Sequence, residues 1–282
     1  MTQNQIDEQI ENEDIEISLL LKGIYLKYGY DFREYSSAHI KRRIIKRLGE
    51  TGLNNISEMQ HKILNDREFF KTLLSDFSIN VTEMFRDPVF YKAFREKVIP
   101  ILRTYPFIRI WHAGCSTGEE AYSMAILLQE EGLYERVQIY ATDFNSKVLR
   151  KAESGIFKIE NVKEYTYNYQ KAGGTASFSD YYTAKYDSVI FESSLRKKIT
   201  FAEHNLVTDG VFGEMHVIIC RNVMIYFNKE LQSKVIKLFH DSLGNGCFLC
   251  LGLKENIRFS NNSKDFEVFC DYEKIYQKKY TI

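Results

Sequence analysis

A chain of 282 residues, 44% hydrophobic and 27% charged, has room for one medium α/β domain and a smaller companion, with a core large enough to need no crosslinks. Lys+Arg and Asp+Glu both number 38, and the resulting zero formal charge excludes a general nucleic-acid binder. No apolar run approaches the roughly 18 residues of a membrane span and no basic-then-apolar export signal opens the chain, so a cytoplasmic protein without membrane insertion is expected.

Residues 1–16 carry Asp7, Glu8, Glu11, Glu13, Asp14 and Glu16 with no basic residue, which reads as a solvated, loosely ordered acidic lead-in. Residues 17–77 read as a helical domain. Leu19, Leu20 and Ile24 mark a first apolar face, and Ile40, Ile44, Ile45 and Leu48 a second, stopped by Gly49 and Gly52. Further helices are expected over 53–64 and 68–77. The second helix is basic: Lys41, Arg42, Arg43, Lys46 and Arg47 fall within seven residues, and Arg43, Lys46 and Arg47 share a face.

Residues 78–106 read as a linker and a connecting helix. Asp87-Pro88 is its start signal, and Pro100 should kink or end it. From 107 to 282 short apolar strands alternate with helices: strands at 107–113, 137–143, 198–203, 215–220 and 247–253, helices at 118–131, 146–154 and 229–242. That alternation predicts an α/β domain with a mostly parallel, doubly wound, Rossmann-like sheet. Residues 157–197 interrupt it with Tyr165, Tyr167, Tyr169, Tyr181, Tyr182 and Tyr186, read as an inserted small β-subdomain with a hairpin inside 176–191.

The five cysteines, Cys115, Cys220, Cys247, Cys250 and Cys270, form no disulfide framework. Cys247 and Cys250 make a CxxC inside an apolar strand with no second ligand pair, and His112, His204 and His216 lack metal spacing, so no metal is expected.

The chemistry concentrates after the first sheet strand, in Ala113-Gly114-Cys115-Ser116-Thr117-Gly118-Glu119-Glu120. Gly114 and Gly118 allow close backbone approach to a ligand beyond the strand end. The spacing is not the G-x-G-x-x-G of a dinucleotide site, and two carboxylates would repel a pyrophosphate. They suit an ammonium or sulfonium ligand such as S-adenosylmethionine, or they simply favour the positive end of a helix. Asp143, closing the second strand, is placed to accept from ribose hydroxyls or to cap the following helix.

Five segments in order resemble the chemotaxis receptor (methyl-accepting protein) glutamate O-methyltransferase family, the CheR type: Asn80-Val81-Thr82-Glu83-Met84-Phe85-Arg86, Gly114 to Tyr122, Ala141-Thr142-Asp143, His204-Asn205-Leu206, and Cys220-Arg221-Asn222-Val223-Met224-Ile225-Tyr226-Phe227. The resemblance spans residues 20–280 and implies an S-adenosylmethionine-dependent methyltransferase domain with an all-helical N-terminal domain and an inserted β-subdomain. It implies methyl transfer to glutamates on the cytoplasmic helices of chemoreceptors, giving glutamyl methyl esters and S-adenosylhomocysteine. On the same resemblance Asn80, Thr82, Arg86, Ala113, Gly114, one acid of Glu119 and Glu120, Asp143, Asn205, Leu206, Asn222 and Val223 line the cofactor. Arg86 and Tyr226 stand near the transferred methyl, Arg43, Lys46 and Arg47 dock an acidic receptor helix, and the β-subdomain edge could receive a receptor tail peptide, as in some relatives. Where many relatives have Pro, this chain has Ala121, a better helix former. Two other readings are kept open: a signalling adaptor that binds S-adenosylmethionine without turnover, and a methyltransferase of a different protein acceptor.

Overall fold

The computed structural model describes residues 3–78 and 81–280, with side chains from residue 11. The chain divides into two compact units. One comprises the N-terminal helices together with Tyr226–Gln232; the other comprises the chain up to Ile225 and from Ser233 onward.

The first unit holds α1 (Gln3–Tyr28), α2 (Ser37–Thr51), α3 (Ile56–Asn65) and α4 (Arg67–Phe77). The acidic lead-in read from the sequence is helical from Gln3: its polar residues continue the helix whose apolar face begins further on, at Leu20, Leu21 and Ile24. Gly49 does not stop α2. The helix passes through it and ends where Gly52 takes a left-handed φ of 66° that other residues adopt only with strain. Asn55 caps α3 by accepting from Glu58 N–H, and Asp66 caps α4 by accepting from Glu68 and Phe69. Tyr28 stacks on Phe70 at 3.8 Å over a core of Ile40, Ile44, Met59, Ile63 and Leu73.

In the second unit α5 (Pro88–Ala93) runs through a widened turn, Phe94–Val98, into α6 (Ile99–Leu102). The widened turn sits just before Pro100, whose ring nitrogen has no hydrogen to give, and the helix ends two residues beyond it. Then come β1 (Ile108–Ala113), α7 (Glu119–Glu130), β2 (Val137–Asp143) and α8 (Ser146–Ser154). The insert contributes β3 (Ile156–Lys158), α9 (Val162–Lys171), β4 (Tyr182–Lys185), β5 (Ser188–Phe191) and α10 (Ser193–Arg196). The main sheet resumes with β6 (Ile199–Glu203), β7 (Met215–Cys220), α11 (Lys229–Ser242), β8 (Leu243–Leu251), β9 (Phe266–Cys270) and β10 (Ile275–Lys278).

The seven-stranded sheet has the order β6-β2-β1-β7-β8-β10-β9. Pairing is parallel from β6 to β8, with Ile110 opposite both Ile139 and Val217, and antiparallel where β10 slots between β8 and β9. Strand order reverses between β1 and β7, the switch point beyond whose strand ends open sheets of this kind bind ligands. The central strands are buried on both faces, hence their unbroken apolar runs. All five cysteines are free and buried; on β8 the sheet pleat turns Cys247 and Cys250, three residues apart, to opposite faces.

A three-stranded antiparallel sheet, β3-β5-β4, contains the expected hairpin, but α9 within the insert is not anticipated by a reading dominated by tyrosines. The insert is fastened to α7 by one buried carboxylate. Glu130 accepts from the hydroxyls of Tyr169 and Tyr181 and from Thr175 N–H, and it pairs with buried Arg95. Burial alone would push its carboxyl up; these donors outweigh burial and hold it below the usual range. Replacing Glu130 with Ala strips two phenols and a buried guanidinium of their shared acceptor, and urea unfolding should show a loss of about 3 kcal/mol.

Candidate active site

Three segments meet around the ends of β1, β2 and β7. The turn after β1 is built on backbone: Gly114 and Cys115 N–H both donate to Thr142 O, at 2.8 and 2.9 Å, which seats the turn on the end of β2. Gly114 has φ 80°, and a Cβ there would fall 2.6 Å from Val223 Cγ2, so only glycine lets the two loops touch. Gly118 has φ 94°, and a Cβ would lie 2.9 Å from that of Ala152 on α8.

Asp143 turns back toward this loop. One carboxylate oxygen accepts from Ser116 N–H and the other from Asn145 N–H, each at 3.0 Å. Asp143 therefore does not cap α8; Asn145 does, through Lys147 N–H. Burial pushes the Asp143 carboxyl up to about 6 against the pull of those amides. The Phe144 amide also bonds it, and with about four acceptor positions a carboxylate holding three amides can still accept another donor.

The two acids that open α7 separate. Glu120 is taken up by protein partners: His112 Nδ1 lies 3.0 Å from one oxygen and Arg221 Nη1 3.2 Å from the other. Arg221 also donates to Asp87 at 2.6 Å and lies 4.4 Å over the Phe90 ring. Burial pushes Glu120 up, but His112 and Arg221 outweigh it and hold the group below the usual carboxylate range. Asp87, read as a helix cap, makes no cap bond, because its carboxylate is committed to Arg221; Pro88 does occupy the first turn of α5. Glu119 makes no ion pair among the described residues. It accepts from Thr117 Oγ1 at 2.6 Å, Tyr165 reaches it from α9, and burial pushes its carboxyl up against those hydrogen bonds and the charge of Lys151.

The segment carrying Thr82 and Arg86 is anchored to α7: Phe85 N–H donates to Ser123 Oγ, and that hydroxyl donates to Glu119 O. From the insert, Asn168 donates to Met84 O. Thr82 is half-exposed, and Arg86 donates one N–H to Val81 O. Asn80 lies outside the described residues. Six non-glycine residues among those described have positive φ, and four of them, Phe85, Asp87, Ser116 and Asn222, fall in these three segments. Strain of this kind, of order 1–3 kcal/mol each, collects where a site demands a backbone path that packing alone would not choose.

Ala113 is buried at the end of β1. Asn205 Oδ1 accepts from Val207 N–H, and Leu206 is buried beyond β6. His204 follows the end of β6, 9% exposed, with Nε2 on Gly210 O and its ring 5.1 Å from Trp111. Tyr226 is grouped with the first unit, where its ring lies 4.9 Å from His39 and its carbonyl accepts from Ser36 N–H. The basic face also narrows. Arg47 is 17% exposed and bound to Asp76, and Arg43 is half-buried, which leaves Lys46 and Arg42 outermost on α2.

Sequence reasoning missed two residues. Arg221 entered only as part of a motif, with no hint that it would anchor Glu120. Glu255 was not noticed at all. It is buried and accepts from Gly252, Asn222, Val223 and Ile225 N–H. A glycine ending a strand with a glutamate three residues on was the available signal.

A glycine turn at the switch point of an open, mostly parallel sheet, with acids at the start of the following helix and on the adjacent strand, defines a class: an α/β domain that binds its ligand beyond the strand ends. The comparisons with known proteins give the family. Residues 80–273 match the domain described as CheR methyltransferase, SAM binding domain, and residues 15–78 match CheR methyltransferase, all-alpha domain. The chain belongs to the CheR methyltransferase family. It is 52% identical over 267 residues to Cher3 of Pseudomonas putida, covering 95% of this chain and 98% of that one. It is 29% identical over 231 residues to a chemotaxis protein methyltransferase of Listeria innocua (81% and 85% covered) and 28% over 275 residues to one of Borreliella burgdorferi (92% and 94%). Among the described residues no cluster of His, Cys, Asp and Glu could hold a metal, and no helix is long and apolar enough to cross a membrane.

Arg221→Lys keeps the charge but loses the planar fork that reaches Glu120 and Asp87 together. One buried acceptor then goes unsatisfied, and the thermal unfolding midpoint should fall by the equivalent of about 1–3 kcal/mol.

Proposed function

We propose that this chain transfers the methyl group of S-adenosylmethionine to glutamate side chains on the cytoplasmic helices of chemoreceptors, releasing S-adenosylhomocysteine. The observation that carries the reading is the division of labour at α7: Glu120 is neutralised by Arg221, and Glu119 is buried without an ion pair among the described residues. A pocket built for an anion would not keep a buried carboxylate without a balancing cation.

The residues fit the cofactor. Glu119 would hold its amino group, Asp143 its ribose hydroxyls, and Gly114 with Val223 would close on its flank. Thr82, Asn80, Ala113, Asn205, Leu206 and Asn222 would complete the lining. When bound, the cofactor supplies an electrophilic methyl on a sulfonium. The acceptor carboxylate is ionised at neutral pH and needs no general base. What remains for the protein is alignment and exclusion of water, because charge is lost as the transition state forms. Arg86 gives one N–H to Val81 O and keeps the others to orient a carboxylate. Tyr226 would orient the acceptor oxygen or the methyl. Lys46 and Arg42 on α2 would steer an acidic receptor helix. The edge of β4 is the candidate seat for a receptor tail peptide.

The test is transfer of labelled methyl to receptor fragments. Alkali-labile label on the receptor is expected. Label only on another protein would move the acceptor elsewhere, and cofactor binding without transfer would make the chain an adaptor. Arg86→Ala and Asp143→Ala should weaken cofactor binding in calorimetry, while Tyr226→Phe should bind normally and transfer slowly.

Acid should act on binding and folding in opposite directions. Asp143 accepts from ribose best as a carboxylate, so affinity for S-adenosylhomocysteine should be flat above neutrality and fall as pH drops through about 6. At pH 5 the ionised fraction, and with it the affinity, would be reduced about tenfold. The same group has a folded pKa above its unfolded value, so the folded state binds its proton more readily. Its contribution to the stability of the free protein is least favourable above about pH 6 and improves as pH falls toward 4. Isothermal titration and urea melts across pH 4.5–8 would separate the two.

A further inference from the structure

The methyl-transfer reading gives Glu255 no role of its own, yet its side chain is committed largely to the loop that carries Asn222 and Val223. Four backbone N–H groups converge on it. Gly252 and Asn222 donate to Oε2 at 2.7 and 2.9 Å, and Val223 and Ile225 donate to Oε1 at 2.9 and 3.2 Å. Three of those donors belong to the turn that leaves β7 at the switch point. That turn takes an uncommon backbone path: Asn222 has φ 61°, in the left-handed region that Asn tolerates better than most residues but that a defined partner helps to hold. Its product is a specific contact, because Val223 is carried against Gly114, where even a methyl would not fit. The approach of Glu255 is itself guarded. A Cβ on Gly252 would lie 2.7 Å from Glu255 Oε2 and 2.8 Å from Asn222 N. Burying a carboxylate is unfavourable unless its acceptor positions are filled; here the turn supplies three donors and Gly252 the fourth.

We propose that Glu255 is a positioning residue for the cofactor: by gathering the amides of residues 222, 223 and 225 it holds Asn222 and Val223 in the geometry that receives S-adenosylmethionine. The inference rests on the methyl-transfer reading and adds a residue to it. It predicts an effect on ligand affinity larger than any effect on the fold. Glu255→Gln keeps shape and volume but presents an NH2 to two of the four donors.

The experiment is calorimetric titration of S-adenosylhomocysteine into the full chain and its variants, alongside urea melts and amide exchange of residues 222–225. E255Q should weaken binding at least about tenfold and speed exchange at those amides, while the unfolding midpoint moves little. E255D, which keeps two acceptor oxygens on a shorter stem, should recover part of the affinity. G252A, which pushes the carboxylate away from outside, should reproduce E255Q. E255Q binding within about twofold of the wild type would overturn the inference, as would loss of the fold in both Glu255 variants, which would mark a structural role only. Wild-type protein that does not bind the ligand would instead sink the methyl-transfer reading, and this inference with it.

Discussion

Helix α7 begins with two adjacent carboxylates at the buried edge of a sheet, and a buried charge is tolerated only where something answers it. Glu120 is answered from within the protein: Arg221 comes from the end of β7 and His112 from β1, and Arg221 in turn draws in Asp87 at the head of α5. One ion-pair network thereby fixes the relation of three segments. Glu119, one residue earlier and turned about a quarter of a helical turn away, is outside that network and is held instead by Thr117 and Tyr165.

Around that division the rest of the crevice is made of backbone under constraint. Gly114 permits contact between two loops, Ser116 and Asn222 take left-handed conformations, and Phe85 and Asp87 bracket Arg86 with the same kind of strain. Each strained residue has an identifiable hold. Ser116 is tied through its N–H to Asp143, Phe85 to Ser123, and Asn222 to Glu255, while the Asp87 side chain is bound by Arg221. Asp143 thus supports the turn as well as facing it.

The main parallel strands and the helices between them were legible because strands buried on both faces leave continuous apolar runs, as in Ile108–Ala113 and Met215–Cys220. The antiparallel end of the sheet was not. β9 and β10 are short, and β9 alternates with exposed Glu267 and Val268, which resembles loop. Helix α9 was hidden by its tyrosines; the partners of Tyr169 are Glu130, 39 residues earlier, and Phe178 beyond the helix end, not a local pattern. In the crevice, residue types that bear charge or grant backbone freedom could be read locally. Which of two neighbouring glutamates would be ion-paired could not, because the answer depends on an arginine 101 residues away. The seat of Tyr226 beside His39, and the turning of Arg47 onto Asp76, likewise depend on partners that a local pattern does not reveal.

Helix α7 is covered on nearly every side: nine of its twelve residues are buried, among them Ala121, Ser123 and Leu127, and it ends in the carboxylate that secures the insert. A rod hemmed in this way has no neutral surface on which lineages could drift. Diversification toward new methyl acceptors would have to accumulate on elements with open flanks, the outer side of α2 and the rim of the small sheet, leaving the rod as the fixed axis about which they vary.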